Sequence, residues 1–118
     1  MAIHNITGKN GEDLAAKWLT DKGYILLHRN WRHQHWELDI IAHKGKTLHI
    51  VEVKTRTGSS FGQPEESITD KKIQYLINAA EEYMYQQPQW QYLQFDVLSI
   101  ILKQDGEDEY FLIEDVYL

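Results

Sequence analysis

The chain has 118 residues, 42% of them hydrophobic and 25% charged, with no cysteine and a net charge of −6. This is the composition of a single globular domain, 1–118, large enough to bury a core. It excludes a disulfide framework and a thiolate metal site. No run approaches the ~20 apolar residues of a membrane span, and Met1–Asn5 does not begin a basic-then-apolar leader, so a cytoplasmic location and no membrane partner are expected.

The charge is unevenly spread. Residues 1–60 carry nine Lys/Arg against six acids, and residues 61–118 carry three against twelve. All six histidines fall in the first half. A locally basic surface can hold phosphates despite an acidic total. The balance still argues against tight, non-specific binding to long duplexes.

Residues 1–9 form no pattern. A helix is expected from about Asn10 to Lys22, with Leu14, Ala15, Trp18 and Leu19 as its apolar stripe and Gly23 as its cap. Glu12 lies in its first turn, where an acid suits the helix dipole. Tyr24–Asn30 reads as a strand with apolar residues on both faces, an interior strand under helices. In Arg29–Trp36 basic and aromatic residues interleave, which suits phosphate contact and base stacking. His33 and His35 lack the remaining ligands of a zinc site.

The stretch Trp36–Thr55 carries the chemistry. Two Ile/Leu/Val-rich runs flank Lys44-Gly45-Lys46, a hairpin signal. Alternation places Glu37, Asp39 and Ile41 on one face of the first run. It places Leu48, Ile50, Glu52 and Lys54 on one face of the second. With Lys44-Gly45 as the central turn pair, Asp39 opposes Ile50 and Glu37 opposes Glu52. Glu37, Asp39, Glu52 and Lys54 then converge, with Asp39 and Glu52 diagonal neighbours. A one-residue slip would separate them. Two carboxylates at that spacing suit a Mg²⁺ ion, which keeps waters on its other positions, and a lysine beside a metal-bound water suits phosphodiester hydrolysis. A solvated acidic face paired with Lys54 and Arg56 explains the same pattern. Periodicity alone leaves both readings open.

Thr57–Pro64 has the composition of a flexible connection beside the site, either a substrate-contacting loop or a plain connector. Ser67–Asp70 has capping-box spacing. A helix follows to about Gln87, stopped by Pro88, with Ile73, Leu76, Ile77, Ala80, Tyr83 and Met84 as its buried stripe. Lys71 and Lys72 sit in its first turn, the end where the dipole disfavours cations, a hint of phosphate contact. Tyr92–Leu102 and Glu109–Tyr117 read as strands. Asp96, among apolar neighbours, needs a partner, and a basic residue with no catalytic role is the expected one.

Asp39 followed by Glu52-Val53-Lys54 resembles the signature of the PD-(D/E)xK nuclease superfamily. The ordered set Gly11-Glu12, Asn30-Trp31-Arg32, Glu37-Leu38-Asp39, Val51 to Arg56, Phe61-Gly62, Lys72 and Phe95-Asp96-Val97 resembles the bacterial YraN family, whose members look like Holliday-junction resolvases. The resemblance covers nearly the whole chain. It implies an α/β, restriction-endonuclease-like fold with a mixed central sheet of about five strands flanked by helices, order αβββαββ. It implies a Mg²⁺- or Mn²⁺-dependent endonuclease, or a nuclease-like nucleic-acid-binding protein, acting on DNA and on branched DNA in particular. A homodimer would follow the resolvase pattern. The implied metal ligands are Asp39 and Glu52. Lys54 would assist the water or the transition state, with Glu12 and Glu37 as auxiliary acids and Arg32, Arg56 and Lys72 on phosphates. The chain departs from the family pattern at Trp36, where glycine is usual. It departs again at Gln74 and Tyr75, where arginines often follow the lysine. These departures, with the acidic second half, favour the alternative of a non-catalytic nucleic-acid-binding or protein-interaction module of the same fold.

Overall fold

The computed structural model describes residues 3–57, 70–104 and 107–116. Its elements are α1 (Ile3–Asp21), β1 (Ile25–His33), β2 (Trp36–Lys44), β3 (Thr47–Thr57), α2 (Asp70–Gln86), β4 (Tyr92–Leu102) and β5 (Glu109–Ile113). This is the expected order αβββαββ. The connector and capping-box expectations at 58–69 lie outside the described residues.

α1 begins well before the expected Asn10, because residues 3–9 offer no apolar stripe to read. It ends as its sequence requires. Gly23 takes φ +96°, Gly23 N–H donates to Thr20 O at 3.1 Å, and Tyr24 N–H donates to Leu19 O at 3.0 Å. These paired bonds form a Schellman cap, and Tyr24 and Leu19 pack together in the core as that motif favours.

The five strands form one sheet in the order β1-β2-β3-β4-β5. β1, β2 and β3 are an antiparallel meander, and β4–β5 are antiparallel. β3 and β4 run parallel, which requires a crossover, and α2 lies in it. One face packs on α1 through Ala15, Leu19, Ile40, Ala42, Val51, Leu98 and Ile100. The other packs on α2 through Leu38, Ile41, Leu48, Ile50, Leu76, Ala80 and Tyr83. Of the stripe expected on α2, Leu76, Ala80 and Tyr83 are buried, while Ile73, Ile77 and Met84 are only partly so.

β1 corrects one expectation. It lies at the sheet edge rather than inside, and Ile25 is 57% exposed. Its apolar residues cover only its own half of each helix, so residues on both faces did not mean neighbours on both sides. β5 is shorter than expected, and the chain beyond it folds back so that Val116 N–H donates to Phe95 O at 2.9 Å. Among the described residues, no helix is long and apolar enough to cross a membrane.

Candidate functional site

The β2–β3 turn is two residues long, but they are Gly45 and Lys46, with Lys44 paired to Thr47. Gly45 supplies φ +60° at the first central position, as a tight hairpin demands. The register therefore differs by two residues from the one expected. A two-residue shift preserves side-chain parity, so the residues from Asp39 to the turn and from the turn to Lys54 keep their faces. It also brings Asp39 directly opposite Glu52 rather than diagonal to it.

The backbone ladder opens at that pair. Regular pairing of β2 with β3 stops at Ile40 and Val51. Beyond it the acids take over the backbone donors. Val53 N–H donates to Asp39 Oδ2 at 2.9 Å, and Asp39 N–H donates to Glu52 Oε2 at 3.4 Å. The alternation of β2 breaks at the same place. Leu38 and Ile41 both face α2, while Ile40 faces α1. Opposite the break, Asn30 adopts φ +53° between the regular pairs Arg29–Ile40 and Trp31–Leu38. A left-handed asparagine re-aims the strand at modest cost. Asp39 thus sits in a local opening between the strands instead of on a flat face.

Electrostatics mark the pair. Burial pushes Glu52 up to about 7, Asp39 beside it adds to the rise, and Lys72 opposes it. Burial also raises Asp39, countered by the Val53 N–H bond, with Glu12 and Glu37 pushing further up. Two adjacent carboxylates, one buried and one half-buried, resist joint ionisation unless a cation lies near. Lys72, from the first turn of α2, provides part of that charge. Its Nζ lies 3.7 Å from Glu52 Oε1 and 5.0 Å from the centre of the Tyr75 ring.

The other expected residues surround this pair to different degrees. Gly11 brings α1 against β3, since a Cβ there would lie 2.1 Å from Thr55 Oγ1. That approach sets Glu12 near Asp39, where Asn30 Nδ2 donates to its Oε2 at 3.0 Å. Lys54 is half-buried, two residues beyond Glu52 on the same strand face, and its charge lowers Glu52. Arg56 continues that face, also half-buried. Glu37 stands apart from the expected convergence. Past the break its carboxylate pairs with Arg32 at 2.9 Å across the β1–β2 hairpin, and Arg32 is 71% exposed. Lys72, expected on phosphate, lies beside Glu52.

Two contributors were named only as positions matching or departing from the family pattern, with no role read for their side chains. Asn30 needs its backbone angle to be recognised. Tyr75 clamps the β1–β2 turn, accepting from Glu37 N–H and donating to His35 O at 2.6 Å. Its place one turn after Lys72 was the only available clue.

A divalent ion fits the donor set in part. Asp39 and Glu52 are two carboxylates whose ionisation a cation would favour, matching the one or two that Mg²⁺ takes. Among the described residues, no cluster of three or more His, Asp or Glu groups gathers to complete a cage. Water or phosphate oxygens would therefore fill the remaining positions. Asp96, the other buried acid, is taken up elsewhere. His49 Nδ1 lies 2.8 Å from it, and Gln94 Nε2 and Asp115 N–H donate to it at 2.8 and 3.0 Å.

The model of the Uncharacterised protein family UPF0102 matches residues 11–100. The chain belongs to the UPF0102 family. This is the YraN-type family that the motifs resemble. A UPF0102 protein of Bacteroides thetaiotaomicron is 43% identical over 116 residues, covering 98% of this chain and 93% of its own length. One from Rhodococcus opacus is 36% identical, covering 97% and 98%. Among solved structures, Hjc of Archaeoglobus fulgidus, a Holliday junction resolvase, superposes with a TM-score of 0.50 at 12% identity, over 87% of this chain and 74% of that one. The likeness establishes the fold of this UPF0102 member as α/β with a resolvase-like mixed sheet.

Proposed function

We propose that this UPF0102 protein is a divalent-metal-dependent endonuclease of the cytoplasm. In this reading one nuclease-like domain, residues 1–118, hydrolyses phosphodiester bonds of DNA, with branched DNA as its substrate. The observation that carries the reading is the Asp39–Glu52 pair, with Glu52 buried and Asp39 half-buried, opened out of the β2–β3 ladder and left with more acid than its surroundings neutralise. The resolvase-like fold supports it.

Asp39 and Glu52 would hold the ion, with Mg²⁺ or Mn²⁺ as the cofactor, which would supply polarisation of a phosphate oxygen and a more acidic water. Lys54 stands beside Glu52 and stabilises the negative charge that develops on the phosphate. Glu12, fixed by Asn30, orients the water, and Glu37 is a more distant auxiliary acid. Arg56 and Lys72 grip the flanking phosphates. Arg32 joins them by leaving Glu37, an exchange that costs little because exposed ion pairs are worth ~0–1 kcal/mol. Cutting both strands of a junction calls for two sites, hence a homodimer.

One observation favours the non-catalytic alternative. The Lys72 ammonium already lies near Glu52 and lessens the need for a metal. Incubation with branched and linear DNA, with and without Mg²⁺ or Mn²⁺, separates the two. The nuclease reading expects metal-dependent cleavage of branched DNA that falls at least about a hundredfold in Asp39→Asn and in Lys54→Ala, a larger loss than removal of an outer-shell partner usually brings. DNA binding without cleavage in either metal supports the module instead.

A further inference from the structure

Beside the acid pair, along α2, lies a cleft that the hydrolytic site does not use. Its walls are Trp36, Asn78, Glu81, Glu82 and Tyr85. Trp36 opens β2, three residues before Asp39, or about 10 Å along a strand. Asn78 follows Lys72 by six residues, or about 9 Å along the helix. The cleft is therefore one short step from the place where the scissile phosphate would lie.

Its chemistry is specific. Trp36 belongs to an aromatic series on the β1–β2 turn. Trp31 stacks on His33 with centroids 6.1 Å apart and planes 12° apart, and Trp36 lies 6.0 Å from His33 and 5.5 Å from His35. Tyr75 holds the turn to α2 through His35 O. Tyr85, which also lines the cleft, is 82% exposed, so its ring is open to a ligand. Glu81 and Glu82 line the same cleft, and their carboxylates accept hydrogen bonds and offer none when ionised. Glu82 is engaged by Gln86 Nε2 at 2.8 Å and lies 3.9 Å from His33 Nε2, which leaves Glu81 as the exposed acceptor.

Acids on the rim repel phosphate, so the sugar–phosphate chain belongs on the Arg32 and Lys72 side. A flat ring carrying N–H donors suits a cleft lined by Trp36 and Tyr85 together with two carboxylates. Among the bases, guanine alone presents two adjacent donors, N1–H and N2–H, to a carboxylate. Bases are read this way only when unpaired, by stacking and by hydrogen bonds to the Watson–Crick edge.

We propose that the Trp36–Tyr85 cleft binds an unpaired guanine adjacent to the scissile phosphate, stacked on Trp36 and hydrogen-bonded to Glu81. This deepens the nuclease reading and rests on it for the position of the phosphate, though not for the binding itself. It makes the preferred substrate one with an unpaired nucleotide next to the cut.

The test uses the full chain in excess chelator, so that binding is read without cleavage. Short single-stranded oligonucleotides, one guanine within thymines against thymine throughout, are titrated while the Trp36 indole N–H resonance is followed by NMR. The guanine oligonucleotide should move that resonance and bind about tenfold more tightly. Trp36→Phe should weaken both oligonucleotides. Glu81→Gln, at an exposed position that leaves the fold intact, should remove the guanine preference and retain the stacking shift. An unmoved Trp36 resonance, or equal affinity for both oligonucleotides in the unaltered protein, overturns the proposal. Guanine-selective binding by a protein that cleaves nothing in Mg²⁺ or Mn²⁺ would keep the cleft and sink the nuclease. Cleavage without guanine selectivity would do the reverse.

Discussion

At the residue scale, Glu52 is the group whose behaviour is most exposed to test. Its pKa rises from 4.5 to about 7 on folding, so between those values the folded protein holds a proton that the unfolded chain has lost. The stability this confers is complete below about pH 4.5 and is lost as pH climbs through 7, by something of order 3 kcal/mol. In chelator, the melting temperature of the native protein should fall across that window relative to Glu52→Gln, which stays neutral throughout. Parallel profiles for the two proteins would remove the charge conflict from the account. Lys72 offers a second handle. Its ammonium repels any cation at the acid pair, and a unit charge near 4 Å acts with about 1 kcal/mol even at the dielectric of water. Lys72→Met should therefore tighten Mn²⁺ binding roughly five- to tenfold while weakening DNA binding, both readable by titration calorimetry.

Single residues also show where the sequence stopped being legible. Asp39, Glu52 and Lys54 could be picked out because charge in an Ile/Val-rich run is costly and so conspicuous. The turn was placed one residue early, but two-residue register shifts keep parity, so the pairing of Asp39 with Glu52 survived the error. What alternation could not foresee is its own interruption. The positive φ of Asn30 lies on a different strand from the acid it re-aims, and no spacing rule links them. That interruption is why Glu37, placed with the other acids by period two, ends on Arg32.

At the element scale, the approach of α1 to β3 depends on Gly11. A methyl group there would meet Thr55 Oγ1 at 2.1 Å, far inside contact distance. Gly11→Ala gains helix propensity but should lose about 1–3 kcal/mol net to overpacking, measured by urea denaturation. Thr55→Ala in the same molecule should restore part of the loss. Additive effects of the two changes would contradict the contact. The β3–β4 pair carries the other polar knot. Asp96 is buried and binds His49, Gln94 and the backbone of Asp115, so it ties the two central strands to the segment after β5. Asp96→Ala should cost at least about 1–3 kcal/mol, since it leaves buried hydrogen-bond donors without a partner. The need for a partner was legible from the apolar neighbours of Asp96. His49, forty-seven positions earlier, was not, because parallel pairing through a crossover helix leaves no local trace.

At the scale of the whole molecule, helices were recognised by caps and stripes and strands by alternation, and their order was enough to indicate a mixed α/β sheet. The position of β1 at the edge was not, because edge and interior strands differ in their neighbours rather than in their own residues. Charge is also organised at this scale. The basic first half supplies Arg32, Lys54 and Arg56, yet α2, from the acidic half, brings Lys72 to the acids at one end and Glu81 and Glu82 to the aromatic cleft at the other. The helix therefore spans a cationic end suited to phosphate and an anionic end that refuses it. A single strand of DNA laid along α2 would be oriented by that gradient, and the effect should weaken with salt.

The most direct measurement is a calorimetric titration of the protein with Mn²⁺ between pH 6 and 7 in buffers of different ionisation enthalpy. One ion per chain should bind, releasing a fraction of a proton that grows toward one as the pH is lowered, because the ion displaces the proton held by Asp39 and Glu52. Asp39→Asn and Glu52→Gln should each abolish the binding. No binding, or binding that persists unchanged in both variants, would contradict the seat for a cation between these two carboxylates.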